Sequence, residues 1–156
     1  MPAGDHRELE EVDEFLDSFD AFAQAVRRAR GAQAQDREEA LTLSQYALLQ
    51  ALSGRDTARV RELASEAGVT PSTATRILDA LERRAIVSRT RAEDDRRGVT
   101  VSLTESGREA FRTQDAWLRE RQRAFYDALP PTERELAPDL LVRLAGLIDE
   151  LAAGSA

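Results

Sequence analysis

Residues 59–104 read RVRELASEAGVTPSTATRILDALERRAIVSRTRAEDDRRGVTVSLT, and the rest of the chain is organised around them. Val60, Leu63, Ala64 and Ala67 recur at helical spacing, and Gly68 stands where a helix needs a left-handed residue to stop. Gly68-Val69-Thr70 is then a three-residue turn. Thr70 suits the N-cap of a second helix, and Pro71 suits its first position because the missing N–H would be unpaired there anyway. Ala74, Ile77, Leu78 and Leu81 give that helix one apolar face. Two strand-like stretches follow, 86–91 and 98–103, and in the second Val99, Val101 and Leu103 alternate with Thr100 and Ser102. The outline is a winged helix-turn-helix, a mainly α fold with a three-helix core and a β-hairpin wing.

The polar face of the second helix carries Ser72, Thr73, Thr75, Arg76 and Arg83. Short hydroxyls and arginines in the first turns of such a helix are what base edges and phosphates in a major groove require. Taken alone, Ser72 and Thr73 equally suit helix N-terminal positions, and Arg76 an ordinary surface site. The hairpin tip, Ala92-Glu93-Asp94-Asp95-Arg96-Arg97, changes the balance. A loop this charged projects into solvent, where Arg96 or Arg97 can reach a minor groove whose negative potential attracts guanidinium groups. Asp95 stands close enough in sequence to orient one of them.

Three segments, LTLSQYALLQAL (41–52), VRELASEAGVTPSTATRILDALERRAIVSR (60–89) and DDRRGVTVSLTESG (94–107), together resemble the MarR family of dimeric winged-helix transcription regulators. The resemblance implies a recognition helix over 71–84 in the major groove and a wing over 92–97 in the minor groove. Arg97 and Asp95 inherit the wing roles, with Arg96 beside them. Thr70, Pro71, Ser72, Thr73, Thr75, Arg76, Arg83 and Arg89 make up the remaining expected DNA contacts. One departure is Ala85, where the family usually has glycine; alanine is strained in a left-handed position, so the recognition helix is expected to end differently.

At 156 residues, with 33% charged and 42% hydrophobic side chains, the chain suits one globular domain over 1–156. With no cysteine there is no disulfide framework, thiolate switch or Cys-based metal site, which separates the chain from the family's peroxide-sensing members. No apolar run approaches the roughly 20 residues of a membrane span, and the acidic N-terminus lacks a signal-peptide core. A cytoplasmic protein with no membrane partner is expected. The net charge of −7 opposes a polyanion, but residues 55–97 hold ten arginines against eight acids, leaving −9 elsewhere. A mildly basic reading head on an acidic body should discriminate by shape and base contacts rather than bulk attraction.

Outside the head, Leu9, Val12, Leu16, Phe19, Ala23 and Val26 form an apolar stripe on a first helix over 5–30. Gly31–Glu39 reads as a polar linker. Thr42 and Gln45 form a capping box opening a helix in which Tyr46, Leu49 and Leu52 pack on the head, and Ser53-Gly54 ends it. Thr104 caps a long helix running toward Ala128, and Pro130-Pro131 stops that helix. Thr132 and Glu135 suggest another capping box, and Pro138 should interrupt any continuous helix there. The leucine-rich segment after it, with the first helix, has too much apolar surface to stand alone. Segments 5–30 and 105–153 are therefore read as dimerisation helices flanking a DNA-binding region over 42–104, the homodimer meeting a pseudo-palindromic operator in double-stranded DNA.

The resemblance further implies a repressor relieved by a small, often aromatic and acidic, effector. Tyr46, Trp117, Arg119 and Tyr126 are the residues that could line its pocket. Catalysis is poorly provided for: His6 is the single histidine, and there is no phosphate-binding glycine loop or metal-ligand cluster, so no enzyme, cofactor or metal is expected. The alternative to a DNA-binding regulator is a winged-helix module that uses the same surface to bind protein.

Overall fold

The computed structural model describes residues 3–31, 40–91 and 98–154. The linker 32–39 and the wing tip 92–97, with Asp95, Arg96 and Arg97, lie outside the described residues, as does the side chain of His6. In chain order the elements are α1 (Ala3–Gly31), α2 (Leu43–Ser53), β1 (Ala58–Arg59), α3 (Val60–Glu66), α4 (Pro71–Arg83), β2 (Val87–Arg91), β3 (Val99–Leu103), α5 (Glu105–Ala128) and α6 (Pro131–Ala153). They divide into two compact units, Met1–Gln114 and Asp115–Ala156.

The caps set the helix boundaries of the first unit. Thr42 Oγ1 accepts from the Gln45 N–H at 3.1 Å while Gln45 Oε1 accepts from the Thr42 N–H at 3.0 Å, so α2 opens with a reciprocal capping box. Thr70 Oγ1 accepts from the Thr73 N–H at 3.2 Å with Pro71 at the first helical position of α4. Both helices of the helix-turn-helix end in the same way. At the end of α3 the Gly68 N–H donates to Ser65 O at 3.2 Å and the Val69 N–H to Ala64 O at 3.0 Å. At the end of α4 the Ala85 N–H donates to Glu82 O and the Ile86 N–H to Leu81 O, each at 2.9 Å. Each pair is a Schellman motif, which needs its first non-helical residue in the left-handed region. Gly68 adopts it freely, at φ 64°.

Ala85 adopts it as well, at φ 56°. The expectation that α4 would end differently is therefore corrected. What offsets the strain lies across the chain: Ala85 O accepts from Thr104 Oγ1 at 2.6 Å and from Ser106 Oγ at 2.8 Å. The neighbouring Ile86 O accepts from the Thr104 N–H at 3.1 Å. Thr104 also caps α5, its hydroxyl accepting from the Gly107 N–H at 3.0 Å.

Three further expectations change. The sheet has three strands in the order β1-β3-β2, both pairings antiparallel, where the sequence suggested a two-stranded hairpin. β1 is only two residues long, and its pairing of Ala58 with Val101 joins positions far apart in sequence. In the second unit, α6 runs unbroken through Pro138. Interrupting it would leave two fresh helix ends, each with four unpaired backbone groups, whereas proline removes a single donor. The helix also starts earlier than the proposed capping box, with Pro130 at the N-cap and Pro131 at the first helical position, so Thr132 does not cap it.

The core of the first unit is drawn from every layer of the head. Leu48, Leu49 and Leu52 of α2 meet Leu63 of α3, Leu78 and Leu81 of α4, Val87 of β2 and Val101 of β3, all fully buried. Each such leucine contributes about 2 kcal/mol of transfer free energy. Among the described residues no polar or charged side chain is buried with them. By contrast Leu9, Val12, Phe15, Leu16 and Phe22 of α1 are about half exposed, and in the second unit Leu140, Leu141, Ile148 and Leu151 of α6 are similarly open.

Candidate nucleic-acid interface

An α-helix turns about 100° per residue, so the buried positions of α4 determine what its other faces present. Ala74, Leu78 and Leu81 are buried. Ser72, Arg76 and Arg83 lie roughly opposite that stripe and are exposed. Among the described residues neither Arg76 nor Arg83 is held in an ion pair. The core thus aims a hydroxyl and two guanidinium groups outward along one line, about as long as the helix itself.

At the N-terminal end of α4 three hydroxyls form a local network. Thr70 Oγ1 donates to Thr73 Oγ1 at 2.9 Å and lies 3.1 Å from Ser72 Oγ. Pro71 is exposed beside them. The Thr75 hydroxyl donates back to Pro71 O at 2.9 Å, so its proton is used within the helix and its oxygen remains an acceptor. These groups surround the positive end of the helix dipole, where an anionic oxygen is best stabilised.

The hairpin behind this face is held by a ladder of hydroxyl pairs. Ser88 faces Ser102 with oxygens 2.9 Å apart, and Thr90 faces Thr100 at 3.2 Å. Those residues occupy one side of the pleat. Val87, Arg89 and Arg91 of β2 therefore occupy the other, with Val99, Val101 and Leu103 opposite them in register. Arg91, at the last described position before the wing tip, is exposed. Arg89 is not: its side chain is only 23% exposed, and it is bonded to α4.

The structure therefore separates Arg89 from the residues along α4 with which the sequence groups it. Arg89, expected among the outward contacts, shares the side of β2 that carries the buried Val87. The signal was present, since the core residue Val87 stands two positions before Arg89 and strand side chains alternate. Thr70, Pro71, Ser72, Thr73, Arg76 and Arg83 do fall along one helix, as expected.

The four residues considered for an effector pocket divide between the two units. Tyr46 stacks on Phe111 in the first, ring centroids 5.5 Å apart and planes 16° from parallel. In the second, Trp117 lies under the Arg121 guanidinium at 5.1 Å, and Tyr126 under that of Arg134 at 5.6 Å. Arg119 pairs with Asp115 at 3.6 Å and donates to Gln122 at 3.3 Å. Helical geometry puts Arg119 and Tyr126 on one side of α5 and Trp117 on the opposite side. A cleft in the first unit, lined by Gly54, Arg55, Asp56, Ser102 and Arg108 among others, includes none of the four.

Comparison with known proteins agrees with this geometry. The model of the MarR family matches residues 41–99. The uncharacterised HTH-type transcriptional regulator YfiV of Bacillus subtilis (strain 168) is 36% identical over 72 residues, 46% of this chain and 45% of that protein. The chain thus spans less than half the length of that relative. The transcriptional repressor CouR, solved bound to a 23-mer DNA duplex, superposes with a TM-score of 0.67 at 25% identity, covering 80% of this chain and 89% of that one. The PcaV transcriptional regulator of Streptomyces coelicolor, solved with its natural ligand, gives a TM-score of 0.59 at 27% identity over 70% of this chain and 77% of its own. No helix among the described residues is long and apolar enough to cross a membrane. Residues 41–99, which run from α2 across α4 and into the hairpin, are thus similar to the MarR family.

Proposed function

We propose that this protein is a dimeric, sequence-specific DNA-binding transcriptional regulator that acts in the cytoplasm, with α4 in the major groove and the wing in the adjacent minor groove. The observation that carries this reading is the stripe of Ser72, Arg76 and Arg83, held outward because Ala74, Leu78 and Leu81 are buried directly behind it. Arginine forks to guanine and to phosphate, and serine allows close approach to base edges. Arg97 enters the minor groove in this arrangement, oriented by Asp95, while the main-chain and hydroxyl groups of Thr70, Pro71 and Thr73 approach phosphate.

Dimerisation follows from surface chemistry. The half-exposed apolar faces of α1 and of α6 are larger than an isolated subunit keeps in water, and a second copy of the chain covers them. Two reading heads then meet successive major grooves on one side of the duplex. CouR is named as a repressor and PcaV was solved with a ligand, which supports repression at the operator and relief by a small molecule in this chain. A small aromatic acid near Tyr46, or near Arg119 and Tyr126, fits the side-chain chemistry. In this reading the chain has no catalytic role and needs no cofactor.

Selection of duplexes from a random-sequence library by the purified full chain tests the proposal. It should return an inverted repeat whose half-site centres lie about 10–10.5 bp apart, or a multiple of that spacing. Recovery of unrelated sequences, or of a single unrepeated half-site, would count against it and in favour of a protein-binding role for the same surface.

A further inference from the structure

Arg89 stands apart from the other basic residues of the head. The pleat places it on the inward face of β2, and its guanidinium is committed to α4 at three points. Nη1 donates to Asp79 Oδ1 at 2.6 Å and to Glu82 Oε2 at 3.1 Å, and Nη2 donates to Thr75 O at 3.3 Å. Thr75, Asp79 and Glu82 are spaced four and three residues apart, so they form one stripe along the helix.

That stripe lies about 100° around α4 from the buried one, and about 75° from the line of Ser72, Arg76 and Arg83. Apolar burial is not directional, so the stripe of Ala74, Leu78 and Leu81 alone lets the helix roll by small amounts in its groove. Charge-assisted hydrogen bonds are directional and short, and three of them to a second stripe remove that freedom. We propose that Arg89 is a positioning residue, clamping the roll of the recognition helix and so the aim of Ser72, Arg76 and Arg83, and that it does not itself contact DNA. This rests on the DNA-binding reading given above.

The electrostatics agree. Two carboxylates share one guanidinium, so the cluster as a whole carries net negative charge and offers a phosphate nothing. The planar fork explains why the position is arginine. A lysine ammonium is a single point on a flexible stem and cannot hold two carboxylates and a main-chain carbonyl in one plane.

The test compares the full-length wild type with Arg89→Ala, Arg89→Lys and Arg76→Ala on two duplexes, one selected by the wild type from a random library and one scrambled, across a range of salt. Circular dichroism and the oligomeric state confirm folding of each variant. Arg89→Ala should lower the preference for the selected duplex about tenfold while leaving affinity for the scrambled duplex, and the salt dependence, close to wild type. Arg89→Lys should show most of the same loss although the charge is kept.

A phosphate contact behaves in the opposite way. Both duplexes would weaken together in Arg89→Ala, the salt slope would fall by about 0.9, and Arg89→Lys would bind like the wild type. That result overturns the proposal, and so does unchanged binding of Arg89→Ala to both duplexes. If the wild type itself treats the two duplexes alike, the DNA-binding reading fails first and the proposal falls with it.

Discussion

A β-carbon placed on Gly107 would stand 1.9 Å from the carbonyl oxygen of Ile86. The first turn of α5 closes directly over the left-handed turn that ends the recognition helix, and glycine is the residue that lets it do so. The same carbonyl accepts from the Thr104 N–H, and Ala85 O beside it accepts from the hydroxyls of Thr104 and Ser106. The Leu103-Thr104-x-x-Gly107 pattern thus has a mechanical meaning: it ties the long helix to the exit of the reading helix. Gly107→Ala should lower stability by about 3 kcal/mol, because backbone rather than a flexible side chain must move. Urea unfolding at a fixed protomer concentration measures it, and a change under about 0.5 kcal/mol would remove the close approach from the explanation.

Ala85 should respond in the other direction. Its φ of 56° is strained for an L-residue, by roughly 1–2 kcal/mol, and glycine relieves the strain while adding unfolded-state entropy. Ala85→Gly should therefore raise stability by about 0.5–1 kcal/mol, measured in the same urea experiment. Since the hydrogen bonds to Ala85 O and Ile86 O end on main-chain carbonyls, they should survive the substitution.

Thr70 caps α4 through the hydroxyl that accepts from the Thr73 N–H. Thr70→Ala should cost about 1 kcal/mol of stability, and Thr70→Ser should restore most of it because the oxygen is what the cap requires. If both variants lose equally, the methyl packing and not the cap is responsible.

Arg76 lies opposite the buried stripe with no ion-pair partner among the described residues. Arg76→Ala should weaken binding by about 1–3 kcal/mol with folding intact. Selection with the variant then separates two roles. Relaxed preference at one base position identifies an edge contact, and a uniform loss with a shallower salt slope identifies a phosphate.

Much of the head was legible in the sequence because its signals are local. Thr42 with Gln45, Thr70 with Pro71, and Gly68 each specify a helix boundary within a few residues, and the buried stripe of α4 follows from spacing alone. What was not legible depends on partners distant in sequence. The two residues of β1 make no pattern of their own and are strand only because Val101 pairs with Ala58. The strain at Ala85 is offset by Thr104 and Ser106, nearly twenty residues later, so local propensity at Ala85 misleads. Pro138 misleads for a related reason, since a helix with strong formers on both sides tolerates one missing donor. Arg89 carries a charge that suggests DNA, whereas its register with Val101 places it against α4, a relation that the pairing of β2 with β3 makes visible.

Everything functional here depends on two reading helices meeting DNA as a pair and choosing among sequences. Equilibrium binding of the purified protein to its selected inverted repeat and to a scrambled duplex of the same composition, at one physiological salt concentration, decides it. The expected preference is about a thousandfold or more, and inserting half a helical turn, about 5 bp, between the half-sites should abolish most of it. Equal affinity for the two duplexes, or indifference to the insertion, would contradict the paired recognition-helix arrangement.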